Sequence, residues 1–339
     1  MSVKAIQIQQ TGSSEVLQYL DMAQPAVGAN QVLIKIAAIG VNYADVLVRK
    51  AAIPTAPLPV TPGEEYSGTI VSVGSAVMHL RPGQRVAVLL GYGSGSGHVS
   101  GGYADYAVAD SASVIPIPDT MDFVTAAAVF ANYLTAYFLL YFSARVEAGQ
   151  TLLLYAAAGG GGTALIQLAR LAGARIIGLA SSSERAAYAL AQGATHMSDY
   201  SQQDVYRALM EFTAEQGVDV IFNSAGGTTF ARDFDVLAPF GQIIWYGTAA
   251  GMPGADVASL LARGFSGHHG IKTFLLHSML QHKPQVWLQA ANKIIDNLLA
   301  GEIQPHIHQQ LPLSQAASAH QLLETSKVFG KLILRPKGG

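Results

Sequence analysis

The sequence contains no cysteine among its 339 residues. This absence excludes disulfide bonds, thiolate nucleophiles and every zinc site that is built on cysteine ligands. It is compatible with a cytoplasmic protein, which is the location that we expect. The ten histidines lack the His-x-x-x-His and His-Glu-x-x-His spacings of metal-binding helices, so no metal site is predicted.

Charged residues are also scarce. They make up 12% of the chain, whereas hydrophobic residues make up 50%, so much of the sequence must be buried. The formal net charge of −2 gives no electrostatic reason to expect nucleic-acid binding. The longest apolar segment, Phe130–Phe142, is interrupted by Asn132, so no membrane helix is predicted. The chain length is typical of two domains.

The most informative stretch joins an apolar run to a glycine cluster. Thr151–Ala158 has the length of a strand, Gly159–Gly162 follows, and Thr163–Arg170 has the periodicity of a helix. This order indicates the strand–turn–helix of a dinucleotide-binding fold, although the glycines do not follow G-x-G-x-x-G to the letter. Glycines allow a tight turn and let backbone N–H groups at the helix start approach a pyrophosphate.

A second strand, residues 174–180, ends in a polar run. NAD-binding folds usually carry Asp or Glu at this point, whereas this chain has Ser181, Ser182 and Ser183, then Glu184 and Arg185. Hydroxyls and a cation suit a 2′-phosphate, so NADPH is the predicted cofactor. The same serines can also form the N-cap of a helix.

The rest of the chain divides by its periodicity. Residues 1 to about 120 are β-rich, and alternating strands and helices from Thr151 to about Gly247 predict a parallel, doubly wound sheet. The glycine- and serine-rich segment 93–102 is either a surface linker or an active-site lid. The tail contains an amphipathic helix at Pro284–Ala300 and a final strand, 330–335, that we expect to return to the first domain.

Motifs spread over nearly the whole chain resemble the medium-chain dehydrogenase/reductase superfamily, in its zinc-independent quinone oxidoreductase (zeta-crystallin-like) branch. In chain order they are Gly12–Leu17, Gly40–Asp45 with Arg49, Pro62–Gly68, Val73–Gly83, Gly102–Tyr106, Leu134–Ala136, Ala156–Gly162 and Gly330–Lys331. The resemblance implies a β-rich GroES-like catalytic domain at 1–124, a Rossmann NADPH-binding domain at 125–266, and a return to the catalytic domain at 267–339. The active site would lie in the cleft between the domains.

The resemblance also implies site residues. Asn42 and Thr135 match contacts to the nicotinamide end of the cofactor. The other matched cofactor positions are Gly159, Gly160, Gly162, Arg185, Tyr200, Asn223, Ser224, Gly247 and Lys331. Tyr200 could instead cap a surface turn, and Lys331 could be a solvated charge on a strand. Zinc-dependent relatives carry Cys at the position of Asn42 and His at the position of Glu64, so this chain resembles the metal-free branch.

The implied reaction is hydride transfer from NADPH to a quinone or to an electron-poor C=C or C=O group. Without a metal, the negative charge on the substrate oxygen must be stabilised by hydrogen-bond donors, for which Asn42, Tyr43 and Thr135 are the candidates. Tyr43 could also give the proton, or its ring could simply pack beneath the cofactor. We expect Asp45 and Arg49 to form a structural ion pair four residues apart on one helix.

Three functions remain open at this point. The first is an NADPH:quinone reductase, and the second is a reductase of activated alkenes such as enones or enoyl thioesters. Leu47 favours the second, because bacterial quinone reductases tend to carry a tyrosine there. The third is a non-catalytic NADPH-binding protein, as crystallin relatives suggest. The resemblance also implies a homodimer joined through the cofactor domain.

Overall fold

The computed structural model describes residues 2–52, 57–89, 101–199, 204–254 and 256–337. In these residues the strands are β1 (Ser2–Ile8), β2 (Leu17–Ala23), β3 (Gln31–Val41), β4 (Glu65–Val73), β5 (Arg85–Leu89), β6 (Tyr106–Asp110), β7 (Val114–Pro116), β8 (Thr151–Leu154), β9 (Arg175–Ala180), β10 (His196–Asp199), β11 (Val218–Asn223), β12 (Leu237–Trp245), β13 (Gly270–Thr273), β14 (Ile307–Pro312) and β15 (Lys331–Arg335). The α-helices are α1 (Tyr43–Arg49), α2 (Phe123–Tyr137), α3 (Gly160–Leu171), α4 (Ser183–Ala191), α5 (Val205–Phe212), α6 (Thr229–Asp233), α7 (Val257–Arg263), α8 (Leu276–His282), α9 (Pro284–Leu299) and α10 (Ala316–Glu324).

The chain forms two compact units, each built from separate segments. The first unit contains residues 1–131, 277–295 and 305–339, and the second contains residues 132–276 and 296–304. The chain passes to the second unit after Ala131, inside α2, rather than at the predicted boundary after residue 124. The tail returns to the first unit, as the final strand predicted.

The first unit is organised by a mostly antiparallel sheet. Its strand order is β14-β15-β3-β4-β5-β7, and β6 also pairs with β3. The long strand β3 shares one of its edges between β6, at its start, and β15, at its end. Alternating apolar residues of β3, including Val32, Ile34 and Ile36, are buried in the core of this unit.

The second unit contains a six-stranded sheet in the order β10-β9-β8-β11-β12-β13. All of its pairings are parallel. Numbered along the chain, the order is 3-2-1-4-5-6, the Rossmann order, which places the switch point between β8 and β11. The predicted doubly wound parallel sheet is therefore confirmed, and the glycine turn follows the strand at the switch point, where such sheets bind ligands.

Helix α2 continues into a π-helical segment, Phe138–Ala144. The combined helix of 22 residues is, by length and composition alone, long and apolar enough to cross a membrane, and within the described residues it is the one helix that meets this criterion. Of its most apolar window, 67% is buried inside the protein. The apolar side chains thus have packing partners in the fold, as in a core helix. Asn132 interrupts the apolar run but not the helix, so the helix is longer than the run in the sequence, and the absence of a membrane helix stays a prediction.

Candidate active site

The glycine turn presents backbone amides at the start of α3. Gly159 is the N-cap, and the first intrahelical bond joins the N–H of Thr163 to the C=O of Gly159 at 2.8 Å. The N–H groups of Gly160, Gly161 and Gly162 precede this bond, so the helix leaves them for an external acceptor. With the positive end of the helix dipole, they form an anion-binding end.

The glycines of this turn serve close approach rather than unusual backbone angles. The left-handed conformation falls on Ala156, with φ of 52°, whereas Gly159 has φ of −82°. A Cβ on Gly162 would lie 2.5 Å from the carbonyl oxygens of Ala156 and Ala157, but a Cβ on Gly161 would meet no atom within 4 Å. The tight turn expected of the glycines therefore depends on the absent side chain at Gly162 and not on left-handed glycine angles. Gly162 is needed for packing, and Gly161 borders open space.

The polar run after β9 begins helix α4. Ser182 is its N-cap, and the Ser182 hydroxyl accepts a hydrogen bond from the N–H of Arg185 at 3.3 Å. The helix-cap interpretation is thus confirmed for Ser182. Ser181, Ser182 and Arg185 are half-buried, whereas Glu184 is exposed. Contact of these residues with a 2′-phosphate stays a prediction.

A tyrosine that the sequence did not single out joins α4 to the first turn of α3. The Thr163 hydroxyl donates to the C=O of Gly159 at 2.9 Å. The Tyr188 hydroxyl lies 2.9 Å from the same Thr163 oxygen, to which it can donate. This pair joins the first turn of α3, which would hold the diphosphate, to the second turn of α4, whose start would hold the 2′-phosphate.

Asn223 ends β11, where ligands bind in such sheets, but its amide is used within the loop. It is fully buried; its Nδ2 donates to Asp233 at 2.6 Å, and its Oδ1 accepts from the N–H groups of Ala225 and Gly226. Asp233 also accepts from the Tyr155 hydroxyl at 2.6 Å. Burial raises the pKa of Asp233 to about 7, against the lowering effect of these two hydrogen bonds. Asn223 therefore shapes the loop, and a direct contact with cofactor stays a prediction.

Ser224 and Gly247 lie where the loops after β11 and β12 meet. A Cβ on Gly247 would lie 2.6 Å from the carbonyl oxygen of Ser224, so only glycine allows this approach. The N–H of Ala249 donates to the same Ser224 oxygen at 3.2 Å. Burial raises the pKa of Tyr246 to about 12, against the lowering effect of the neighbouring Ser224. Both predicted residues thus shape one edge of the switch-point crevice.

In the first unit, Asn42 follows β3 and its side-chain amide is held by two charged groups. The ammonium of Lys331 donates to Asn42 Oδ1 at 2.5 Å, and Asn42 Nδ2 donates to Glu65 Oε2 at 3.1 Å. Lys331 and Glu65 also form an ion pair at 2.6 Å. The second carboxylate oxygen of Glu65 accepts the N–H of Ala131 at 2.8 Å. Lys331 is only 3% exposed, so the solvated-charge interpretation of this residue is wrong.

Asp45 and Arg49 do not form the expected ion pair. The carboxylate of Asp45 accepts the N–H of Asn42 at 2.8 Å and that of Gly63 at 3.1 Å. Arg49 pairs instead with Glu324 at 2.7 Å. Asp45 is the third residue of α1, where a carboxylate is drawn back to the unpaired amides of the helix start. Asp45 therefore fixes the backbone of Asn42.

The remaining predicted donors lie in different units. Tyr43 begins α1 in the first unit and is 37% exposed, whereas Thr135 is a half-buried residue of α2 in the second unit. Neither side chain has a hydrogen-bond partner within the described parts of the chain. Whether Asn42, Tyr43 and Thr135 meet at one substrate oxygen stays a prediction. Tyr200, and the segment 93–102 up to residue 100, lie outside the described residues.

Comparison with known proteins decides the family. Residues 28–119 match the alcohol dehydrogenase GroES-like domain, and residues 160–275 match the zinc-binding dehydrogenase family. The chain is 32% identical to the quinone oxidoreductase of Pseudomonas aeruginosa over 337 residues, which are 98% of this chain and 99% of that protein. It is also 32% identical to the quinone oxidoreductase of Homo sapiens, over 98% of this chain and 97% of that protein.

Solved structures agree with this assignment. The Escherichia coli quinone oxidoreductase complexed with NADPH superposes with a TM-score of 0.92 at 27% identity, covering 98% of this chain and 100% of that one. The Pseudomonas syringae quinone oxidoreductase gives a TM-score of 0.91 at 32% identity over the same shares of the two chains. The chain belongs to the quinone oxidoreductase branch of the medium-chain dehydrogenase/reductase superfamily. The GroES-like and Rossmann folds expected from the motifs are confirmed.

The superfamily includes zinc enzymes, but the residues of this protein that stand at the zinc-ligand positions do not fit a zinc ion. Asn42 stands at the cysteine position, and its oxygen already accepts from the Lys331 cation at 2.5 Å. Burial raises the pKa of Glu64, at the histidine position, well above its usual range, and the charges of Asp45 and Glu65 add to the rise. A carboxyl group whose neutral form is favoured in this way is a poorer metal ligand than an ionised carboxylate. Within the described residues no group of three or more acidic or histidine side chains could hold a metal ion.

Proposed function

We propose that the protein is an oxidoreductase that uses NADPH to reduce a quinone. The observation that carries the proposal is the combination of free backbone amides at the start of α3 with Arg185 in the first turn of the next helix. The first feature suits the diphosphate of any dinucleotide, and the second suits the additional phosphate of NADPH. Quinone oxidoreductase relatives, one of them solved with NADPH, support the assignment.

The residues of the second unit fit the cofactor. The amides of Gly160, Gly161 and Gly162 would bind the diphosphate, with open space beside Gly161 for its oxygens. Ser181, Ser182 and Arg185 would bind the 2′-phosphate. When bound, NADPH supplies the hydride, so these residues only need to hold and orient it.

The first unit supplies a donor for the substrate oxygen. Reduction of a quinone to its hydroquinone takes up one hydride and one proton in total, and negative charge collects on an oxygen before the proton arrives. Glu65 takes one of the two Nδ2 hydrogens of Asn42, and the other has no acceptor in the described part of the chain. That N–H is the candidate donor, while Tyr43, whose side chain is partly exposed, and Thr135 are the further candidates.

A second candidate acceptor is an activated C=C bond. Leu47 lies one helical turn after Tyr43 on α1 and is half-buried, so this face of the helix carries one aromatic ring and one aliphatic side chain. A quinone loses a stacking partner there, whereas an enone or an enoyl thioester does not need one.

Rates with NADPH and a matched panel of benzoquinones, naphthoquinones, enones and enoyl thioesters test the proposal. Faster turnover of quinones supports quinone reduction, and faster turnover of enones or enoyl thioesters supports the second candidate. Tight NADPH binding with no turnover of any acceptor would contradict both and favour a non-catalytic NADPH-binding protein.

The proposal includes a homodimer joined through the second unit. Strand β13 is the last strand of the parallel sheet, and within the described residues it pairs only with β12. Large apolar side chains lie exposed near it: Phe240 is 75% exposed and Phe265 is 83% exposed. Light scattering after size exclusion tests the dimer, and Phe240→Lys should shift the protein toward monomer. The cytoplasmic location stays a prediction that cell fractionation can check.

A further inference from the structure

The side-chain cluster of Asn42, Lys331 and Glu65 follows from strand register. Leu332 of β15 pairs with Val41 of β3, so the preceding residue, Lys331, stands beside Asn42. Glu65 of β4 pairs with Gly40, two residues before Asn42 and hence on the same side of β3. Three separate segments thereby bring a cation, an anion and an amide to one place, with exposed fractions of only 3%, 0% and 8%.

Gly40 provides the room for this cluster. A Cβ at this position would lie 2.7 Å from the Glu65 carboxylate and 3.0 Å from the Lys331 side chain, and it would also collide with the carbonyl oxygen of Ala127. Glycine therefore allows both long side chains to cross β3 and reach the amide of Asn42. The arrangement is a tightly filled site rather than a chance contact between surface charges.

The two charges determine which way the amide faces. An ammonium can only donate, so its 2.5 Å contact must be to the amide oxygen of Asn42. An ionised carboxylate can only accept, so its 3.1 Å contact must be to the amide nitrogen. If the amide rotated by 180°, Nδ2 would face Lys331 and Oδ1 would face Glu65, and both contacts would be repulsive.

We propose that Lys331 and Glu65 are positioning residues that lock the Asn42 amide with its second Nδ2 hydrogen presented to the substrate oxygen. This proposal rests on the proposed function, since Asn42 acts as a donor only if an acceptor molecule is reduced. It replaces the cofactor contact expected of Lys331 with a role exerted through Asn42. In this role Lys331 touches neither NADPH nor the substrate.

The first experiment separates positioning from cofactor binding. Lys331→Met removes the charge but keeps an unbranched chain, and Lys327→Met makes the same change at an exposed lysine four residues earlier. Positioning predicts that Lys331→Met lowers kcat about 10- to 100-fold, no more than the loss of about 100- to 1,000-fold that follows removal of one oxyanion donor, because Asn42 itself remains. The affinity for NADPH should stay within about twofold, less than one lost hydrogen bond would cost. Lys327→Met should behave as the wild type. Loss of NADPH affinity with kcat unchanged would overturn the proposal.

A double-mutant cycle tests whether Lys331 acts through Asn42. Asn42→Ala alone should lower kcat about 100-fold. If the lysine only orients this amide, adding Lys331→Met to Asn42→Ala should change kcat by about twofold or less, because coupled residues are not additive. Fully additive losses would overturn the proposal. If Lys331→Met does not fold, Glu65→Gln replaces it, since it keeps the side-chain size and removes the charge that disfavours the rotated amide.

A third measurement does not depend on activity, so it separates failure of this proposal from failure of the proposed function. In the protein without substrate, the side-chain amide NMR signals of Asn42, assigned by their loss in Asn42→Ala, should be those of one rigid amide that exchanges slowly with water. Lys331→Met should broaden or shift them and speed the exchange. Unchanged Asn42 signals in Lys331→Met would overturn the proposal even if the wild type reduces quinones. Altered signals in a protein that reduces no acceptor would contradict the proposed function alone.

Discussion

The two units build their parts of the candidate site in opposite ways. In the second unit the glycine turn offers main-chain N–H groups at a helix start, and a side chain at Gly162 is excluded by the backbone. In the first unit the candidate donor is the side chain of Asn42, held between the charges of Lys331 and Glu65. The first arrangement comes from one continuous stretch of sequence, and the second from three distant stretches.

This difference indicates which substitutions should impair each kind of site. A main-chain site tolerates changes of side chain except where Cβ itself collides, so its glycines matter individually. A buried charged cluster depends on every member, because removal of one partner leaves the other charge buried without compensation. The Asn42 cluster should therefore fail as a group, whereas the glycine turn should fail position by position.

The largest expected effect comes from placing alanine at either of two neighbouring positions of the glycine turn. Gly162→Ala places Cβ against two carbonyl oxygens, so we expect overpacking to destabilise the protein by about 1–3 kcal/mol and NADPH binding to be lost. Gly161→Ala meets no protein atom within 4 Å. It should raise the free energy of unfolding by about 0.5–1 kcal/mol, yet weaken NADPH because the methyl group occupies the diphosphate space. Thermal unfolding and calorimetric titration measure both. Tight NADPH binding by both variants would contradict the main-chain site.

The next effect concerns Arg185, the charged side chain of the predicted 2′-phosphate site. Arg185→Ala should weaken NADPH about 10- to 100-fold, the cost of one or two hydrogen bonds to a charged group, and leave NADH nearly unchanged. Arg207→Ala, on the exposed face of α5, removes a cation elsewhere in the same unit and serves as the control. Titration of each variant with both nucleotides measures the selectivity. An equal loss for NADPH and NADH would refute the 2′-phosphate role.

A smaller effect is the pH dependence of stability that we expect from Asp233, the buried acid of the second unit. This dependence separates Asp233 from the ion-paired acids of the first unit. The pKa of Asp233 is about 7 in the folded protein, compared with 3.8 as its ordinary value. Between these values the folded state binds more protons than the unfolded state, so the free energy of unfolding falls as pH rises from about 4 to about 7. Asp233→Asn should flatten this decline, whereas Glu211→Gln, which alters an exposed ion pair with Arg207, should not. Melting curves across that interval measure it, and parallel pH dependence in wild type and Asp233→Asn would contradict the assignment.

For removal of metal ions we expect no effect on the reaction rate. Because Lys331 already occupies the oxygen of Asn42, the reaction should need no metal ion, and strong chelators should leave the rate of NADPH-dependent reduction unchanged. Metal analysis of the active protein should find less than one zinc per chain. Inhibition by chelators that added zinc reverses would show that the metal-free interpretation of the first unit is wrong.

Local patterns predicted much of this molecule. Thr151–Ala158 and the glycines predicted β8 and the start of α3, and the run at 218–223 coincides with β11. The serine run predicted the cap at Ser182. These features could be found because strand alternation, capping and glycine turns depend on neighbours within a few residues. The same local reasoning paired Asp45 with Arg49, and it was wrong because the helix-start amides attracted Asp45 more strongly.

Other features had no local signal. Tyr188 reaches Thr163 only because α4 packs beside α3, and Glu324 reaches Arg49 across 275 residues of chain. For the same reason, the sequence did not indicate that Asn223 holds a loop or that Lys331 holds the side chain of Asn42. Their positions at a strand end and in the closing strand were visible in the sequence, but their hydrogen-bond partners were not.

By itself, the sequence determined that this chain forms a Rossmann sheet with a glycine turn at its switch point. The alternation of apolar residues in strands, their 3.6-residue period in helices and glycine at a turn are all local properties. The tertiary structure alone decided that Lys331, Glu65 and Asn42 form one cluster. Antiparallel register brings residues 289 positions apart to within hydrogen-bond distance, and nothing in the neighbouring residues encodes that pairing.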